Sequence, residues 1–95
     1  MPAYIVFTRE KTTDADSLAA YAKKSGGTLA GHPVKPLAAY GKHEVLEGAP
    51  IEGAVILEFP TIEAAKAWYD GPAYREVREL RFKGADYRAF IIEGL

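Results

Sequence analysis

The chain has 95 residues and a mass of 10.4 kDa, enough for one small hydrophobic core, so residues 1–95 are read as a single domain. Twelve basic side chains against thirteen acidic ones leave a formal charge of −1, which excludes the broad basic footprint of a nucleic-acid binder. Cysteine is absent, which excludes a disulfide framework, an iron–sulfur cluster, a thiol nucleophile and a Cys-based zinc site.

Ala3-Tyr4-Ile5-Val6-Phe7-Thr8 is β-branched and aromatic and predicts a first strand. Charged and turn residues follow from Arg9 to Thr13. A helix is expected from Asp14 to Ser25, capped by Thr13 or Asp14, with Ala15, Leu18, Ala19 and Ala22 on one stripe. Gly26-Gly27 stops it. Pro33 and Pro36 oppose a regular helix over residues 28–36, which read as a long connection. A second strand is expected over Leu37 to Leu46, with a bulge or bend near Gly41. Glu47 to Glu52 contains Gly48 and Pro50 and reads as a turn. Gly53 to Phe59 carries the strongest β signal and predicts a third strand, ended by Pro60. Thr61 is placed to cap a second helix, with Glu63 in its first turn and Ala64, Ala65, Trp68 and Tyr69 on one face. Asp70-Gly71-Pro72 interrupts it, and Pro72 opens a further helical segment to Phe82. The last strand is expected over Tyr87 to Glu93. The order β-α-β-β-α-β is that of an α+β, ferredoxin-like domain: a four-stranded antiparallel sheet with its helices on one face.

A sheet with one face in water alternates apolar and polar residues. Here Tyr4 to Phe7, Ala54 to Leu57 and Ala89 to Ile92 are continuous apolar runs, so both faces are expected to be greasy. Two helices roof only one of them. A second copy, packed sheet against sheet about a two-fold axis, covers the other. The expectation is a homodimer burying more than about 1,000 Å². The competing reading is a monomer whose second face is capped by the 28–36 connection. No apolar run approaches the ~20 residues of a membrane span. Met1-Pro2-Ala3-Tyr4-Ile5 has no basic leader before a long apolar stretch, so a cytoplasmic location is expected, with no membrane partner.

Several blocks together resemble a known family. They are Val45-Leu46-Glu47-Gly48, Val55-Ile56-Leu57-Glu58-Phe59-Pro60, Ala64-Ala65-Lys66-Ala67-Trp68-Tyr69, Pro72-Ala73-Tyr74, Arg81 and Ile92-Glu93-Gly94. In this order and spacing they are similar to the family of unknown function numbered 1330, within the dimeric α+β barrel superfamily. The resemblance covers most of the chain and is strongest from residue 40 onward. It implies a ferredoxin-like fold and a homodimer, and no established activity. Two departures stand out: family members commonly carry Gly-Gly in the second strand where this chain has Tyr40-Gly41, and a serine where it has Gly71.

Glu58 is the leading candidate for chemistry, because a carboxylate near the end of an apolar strand is costly unless paired. Arg78 and Arg81 share a helical stripe with Tyr74, and the geometry allows an Arg–Glu58 pair between helix and sheet. In one reading Glu58 binds a small acid or acts as a general base; in the other, favoured one it is a plain structural ion pair or an edge carboxylate in water. Trp68, Tyr69 and Tyr74 straddle the Asp-Gly-Pro break, where aromatic rings and free N–H groups suit a flat or anionic ligand. Trp68 is read first as core. His43, placed in the second strand, is a general-base candidate if the interior is wet. His32 lies in the Pro-rich connection. Two histidines without ligand spacing make no metal site, and no cofactor motif is present.

The third strand, Gly-Ala-Val-Ile-Leu-Glu-Phe, lacks the basic-Gly-aromatic signature of an RNA-recognition domain with the same element order. Two readings of function stand at this level. One is a homodimer that binds or converts a small acidic or aromatic molecule between helices and sheet. The other is a non-catalytic structural or interaction module without a specific ligand. The residues do not choose between turnover and binding.

Overall fold

The computed structural model describes residues 1–95. Its elements are β1 (Ala3–Thr12), α1 (Ala15–Ser25), a 3-10 turn (Gly26–Leu29), β2 (Lys35–Ala39), β3 (Gly53–Phe59), α2 (Ile62–Tyr69), α3 (Pro72–Gly84) and β4 (Ala85–Glu93). The sheet order is β2-β3-β1-β4, with every neighbouring pair antiparallel. β1 and β2 therefore run parallel with β3 inserted between them, the split β-α-β arrangement expected from the sequence. No helix is long and apolar enough to cross a membrane.

Local chemistry explains most boundaries. Asp14 caps α1: its Oδ1 accepts from the Asp16 and Ser17 amides at 3.1 and 3.3 Å. Thr13 instead donates its hydroxyl to the Lys83 carbonyl at 3.0 Å, tying the start of α1 to the end of α3. Thr61 caps α2 by accepting from the Ala64 amide at 3.1 Å. β3 and the α2–α3 break fall where the residues place them.

Three expectations need correction. β1 continues to Thr12, because its polar end pairs with Lys11↔Asp86 and Thr12↔Ala85 across β4. β2 is shorter than expected and shifted, ending at Ala39. Tyr40 adopts φ 55°, in the left-handed region, and turns the chain out of the sheet, so residues 40–46 are not strand. A glycine would take that conformation without strain. On α1, Leu18 is half-buried but Ala15, Ala19 and Ala22 are exposed; Ser17, Tyr21 and Ser25 are half-buried instead.

The core lies between the helices and one sheet face. Ile5, Phe7, Leu57, Phe59, Ala65, Trp68 and Tyr74 form it. α1 and α3 meet at Gly84, where a Cβ would stand 2.8 Å from the Leu18 amide nitrogen. The register puts Tyr4, Val6, Ala54, Ile56, Phe90 and Ile92 on the opposite face, which no helix covers. Phe90 and Ile92 are 52% and 53% exposed. Charge is confined to the ends of this face, with Glu58 opposite Lys35 at one and Thr8 opposite Arg88 at the other.

Gly71 is the N-cap of α3 and makes no side-chain cap bond. A Cβ there would lie 2.5 Å from the Ala67 carbonyl oxygen. Gly71→Ser would add a capping oxygen, worth about 1 kcal/mol. It would also force backbone apart, at a cost of about 1–3 kcal/mol. The substitution is expected to lower the urea midpoint; a higher midpoint would show that the α2–α3 corner yields freely.

Candidate functional site

The α2–α3 break sets the site. α2 delivers Trp68 and Tyr69 at its last turn, and Pro72 restarts the helix so that Tyr74, Arg78 and Arg81 return over them. Trp68 stacks on Tyr74 with ring centroids 4.1 Å apart. Tyr69 lies 5.6 Å from Tyr74 and 6.3 Å from Trp68. Arg78 sits over the Tyr69 ring at 4.7 Å and donates to the Tyr69 carbonyl at 3.0 Å. Arg81 donates from Nη2 to the Tyr69 hydroxyl at 3.3 Å. Five of the candidates, Trp68, Tyr69, Tyr74, Arg78 and Arg81, are thus one cluster.

Glu58 and His43 are not part of it. Glu58 pairs with Tyr4 and Lys35 on the sheet face turned away from the helices, and neither of the chain's two ion pairs includes it. The Arg–Glu58 pair that the spacing allowed is therefore not formed, and Glu58 is the edge carboxylate of the other reading. Arg78 bridges Asp70 instead, at 3.4 Å. His43 lies in the exposed β2–β3 loop, because the chain has already left the sheet at Tyr40, and its Nε2 is 3.1 Å from the Ile51 carbonyl. His32 borders a shallow surface hollow that also includes Glu58.

Residues the sequence reading did not single out complete the site. The Tyr21 hydroxyl is 2.7 Å from that of Tyr74. Tyr40 reaches the Tyr87 hydroxyl in a second such pair. Trp68 Nε1 donates to Thr28 Oγ1 at 3.1 Å, and Thr28 donates to the Ser25 carbonyl at 2.6 Å. A buried Trp or Tyr needs a polar partner, which was the one available signal. The partners are 40 to 53 residues distant in sequence, so nothing local named them.

A cavity of about 190 Å³ opens between α1, β2 and the core. Phe7, Tyr21, Leu29, Tyr40, Leu57 and Trp68 are among its walls. It is mainly apolar, and Tyr74 and Tyr87 stand behind it, bonded to Tyr21 and Tyr40. Burial pushes the Tyr21 and Tyr40 phenols well above their usual range. It raises Tyr74 as well, against the opposing pull of the Tyr21 hydrogen bond and of Arg81. All three are neutral hydroxyls at neutral pH. An open cleft between α3 and β4 is lined by Tyr69, Arg81, Phe82, Asp86, Tyr87 and Ala89. The geometry offers an apolar chamber, a set of neutral phenols and a buried cation in sequence from one side of the layer to the other.

No curated protein matches the chain. Among solved structures it is similar to a protein of unknown function from Rhodopseudomonas palustris, at 23% identity and a TM-score of 0.75 over 99% of this chain and 82% of that one. It is similar to a dimeric ferredoxin-like protein of unknown function from Thermobifida fusca, at 16% identity and a TM-score of 0.68 over 97% of this chain and 90% of that one. A Nitrosomonas europaea protein proposed as an antibiotic biosynthesis monooxygenase is similar at 15% identity and a TM-score of 0.55, over 99% of this chain and 89% of that one. These likenesses establish the ferredoxin-like fold. The model of the domain of unknown function DUF1330 matches residues 2–95, nearly the whole chain, and the sequence resemblance is borne out: the chain belongs to that family.

Proposed function

We propose that this chain is a homodimer, joined through its uncovered sheet face, in which each copy holds a small acidic or aromatic molecule between helices and sheet. The observation that carries the ligand reading is the aromatic-walled cavity of about 190 Å³ inside a domain this small. The dimer reading rests on the apolar face of Tyr4, Val6, Ile56, Phe90 and Ile92, which is larger than the isolated apolar residues of ordinary surfaces. The Thermobifida fusca neighbour is described as dimeric, in keeping with it.

Thermal-shift measurement against a panel of small acids and aromatic metabolites tests the ligand reading. At least one compound should raise the melting temperature of the wild type. Ala39→Trp, placed on the edge strand at the cavity wall, should remove that shift. A panel with no effect overturns the cavity assignment and favours the structural module; a shift that survives Ala39→Trp overturns the cavity assignment and moves the ligand elsewhere on the chain. Consumption of the hit over time separates an enzyme from a binder.

A further inference from the structure

Arg81 is 4% exposed, yet no carboxylate meets it. The contrast with its neighbours is sharp: Arg9 bridges Glu52 at 3.1 Å and Arg78 bridges Asp70 at 3.4 Å. Arg81 donates to the Tyr69 hydroxyl and also interacts with the Tyr74 phenol, and its Nε, like those of Arg9 and Arg78, is buried with no hydrogen-bond acceptor. Phe7, Tyr87 and Phe82 surround its guanidinium at 5.0–5.2 Å from ring centroids. Those rings attract a cation but accept no N–H in the guanidinium plane. Burial raises the Tyr74 phenol beside it, so that hydroxyl supplies no negative charge. Asp86, which also lines the cleft, forms no ion pair with it. A buried charge is normally paired, and a planar guanidinium has the fork that matches a carboxylate.

Resting on the small-molecule reading above, we infer that Arg81 is the anion receptor of this fold, and that the cleft between α3 and β4 takes an aromatic carboxylate. The carboxylate accepts from the guanidinium edge. The flat body lies against Phe82 and Tyr87, and Tyr69 holds the guanidinium in place through its hydroxyl. The cleft, about 390 Å³, has room for one ring and its substituents. This assigns Arg81 to recognition of charge, Phe82 and Tyr87 to recognition of shape, and Tyr69 to positioning.

The probe is benzoate, with benzamide as its neutral isostere, measured by titration calorimetry and thermal shift on the wild-type protein. Benzoate should bind about tenfold more tightly than benzamide, the margin of one charge-assisted pair. Arg81→Gln should erase that preference. Should Arg81→Gln fail to fold, Arg81→Lys keeps the charge but loses the fork, and benzoate should weaken while benzamide is unchanged. Tyr69→Phe should weaken benzoate and leave the circular dichroism spectrum as it is. Equal binding of the two probes, no binding of benzoate, or a preference that survives Arg81→Gln, overturns the inference. If benzoate fails while a neutral panel compound still shows the Ala39→Trp-sensitive shift, only the carboxylate assignment falls. If no compound binds at all, the pocket reading falls with it.

Discussion

Trp68→Ala is expected to cost about 3–5 kcal/mol and to remove most of the cooperative folding transition. Trp68 is 3% exposed and stands at the centre of the aromatic cluster. It stacks on Tyr74, lies 5.9 Å from Phe59, and meets Phe7 edge-on at 6.4 Å. Its removal leaves a large void and also strips the Thr28 hydroxyl of its donor. A domain of this size has a total stability of roughly 5–15 kcal/mol, so this one truncation takes a large share. Urea denaturation followed by far-UV circular dichroism checks it. Trp68→Phe, which keeps the ring but not the N–H, should fall between the two. An unchanged midpoint for Trp68→Ala would mean that Trp68 lines a ligand site rather than holding the core.

The second large effect concerns assembly. Sedimentation of the wild type at micromolar concentration should give about twice the 10.4 kDa chain mass. Ile56→Lys and Phe90→Asp, on the uncovered sheet face, should each give the mass of one chain with the secondary structure intact. Ile56 pairs with Val6, and Val6 with Phe90, so the two substitutions probe one apolar row across three strands. A charge placed there in an isologous interface enters twice. At about 2 kcal/mol for each copy, the dissociation constant rises on the order of a thousandfold. A wild type that sediments as one chain ends the dimer reading. Two variants that remain paired would move the interface elsewhere.

The order of elements was legible because its punctuation is local. Pro60 and Thr61 separate β3 from α2, and Gly71-Pro72 divides the helices, each by a constraint that acts within a few residues. Glu58 was not legible. In the run Ala54-Val55-Ile56-Leu57 both parities are apolar, so alternation does not say which residues face the helices, and an error of one residue moves a side chain to the opposite face. The structure places Leu57 and Phe59 inward and Glu58 outward. His43 was misplaced for a different reason: the left-handed turn at Tyr40 requires neither glycine nor asparagine when tertiary contacts hold it. Arg81 was found by its spacing from Tyr74 and Arg78. Its lack of a carboxylate partner could emerge only once the sheet's two faces were told apart.

The corner where β2 leaves the sheet has a consequence for how the sequence can vary. Tyr40 lays its ring over Gly53, beneath the Arg9 guanidinium at 4.9 Å, and ends on Tyr87. A Cβ on residue 53 would stand 2.6 Å from the Tyr40 ring. Bulk at positions 40 and 53 is therefore shared rather than independent. A chain that gives up the aromatic at 40 gains freedom to carry a side chain at 53, so substitutions at the two sites should be epistatic and tolerated in pairs.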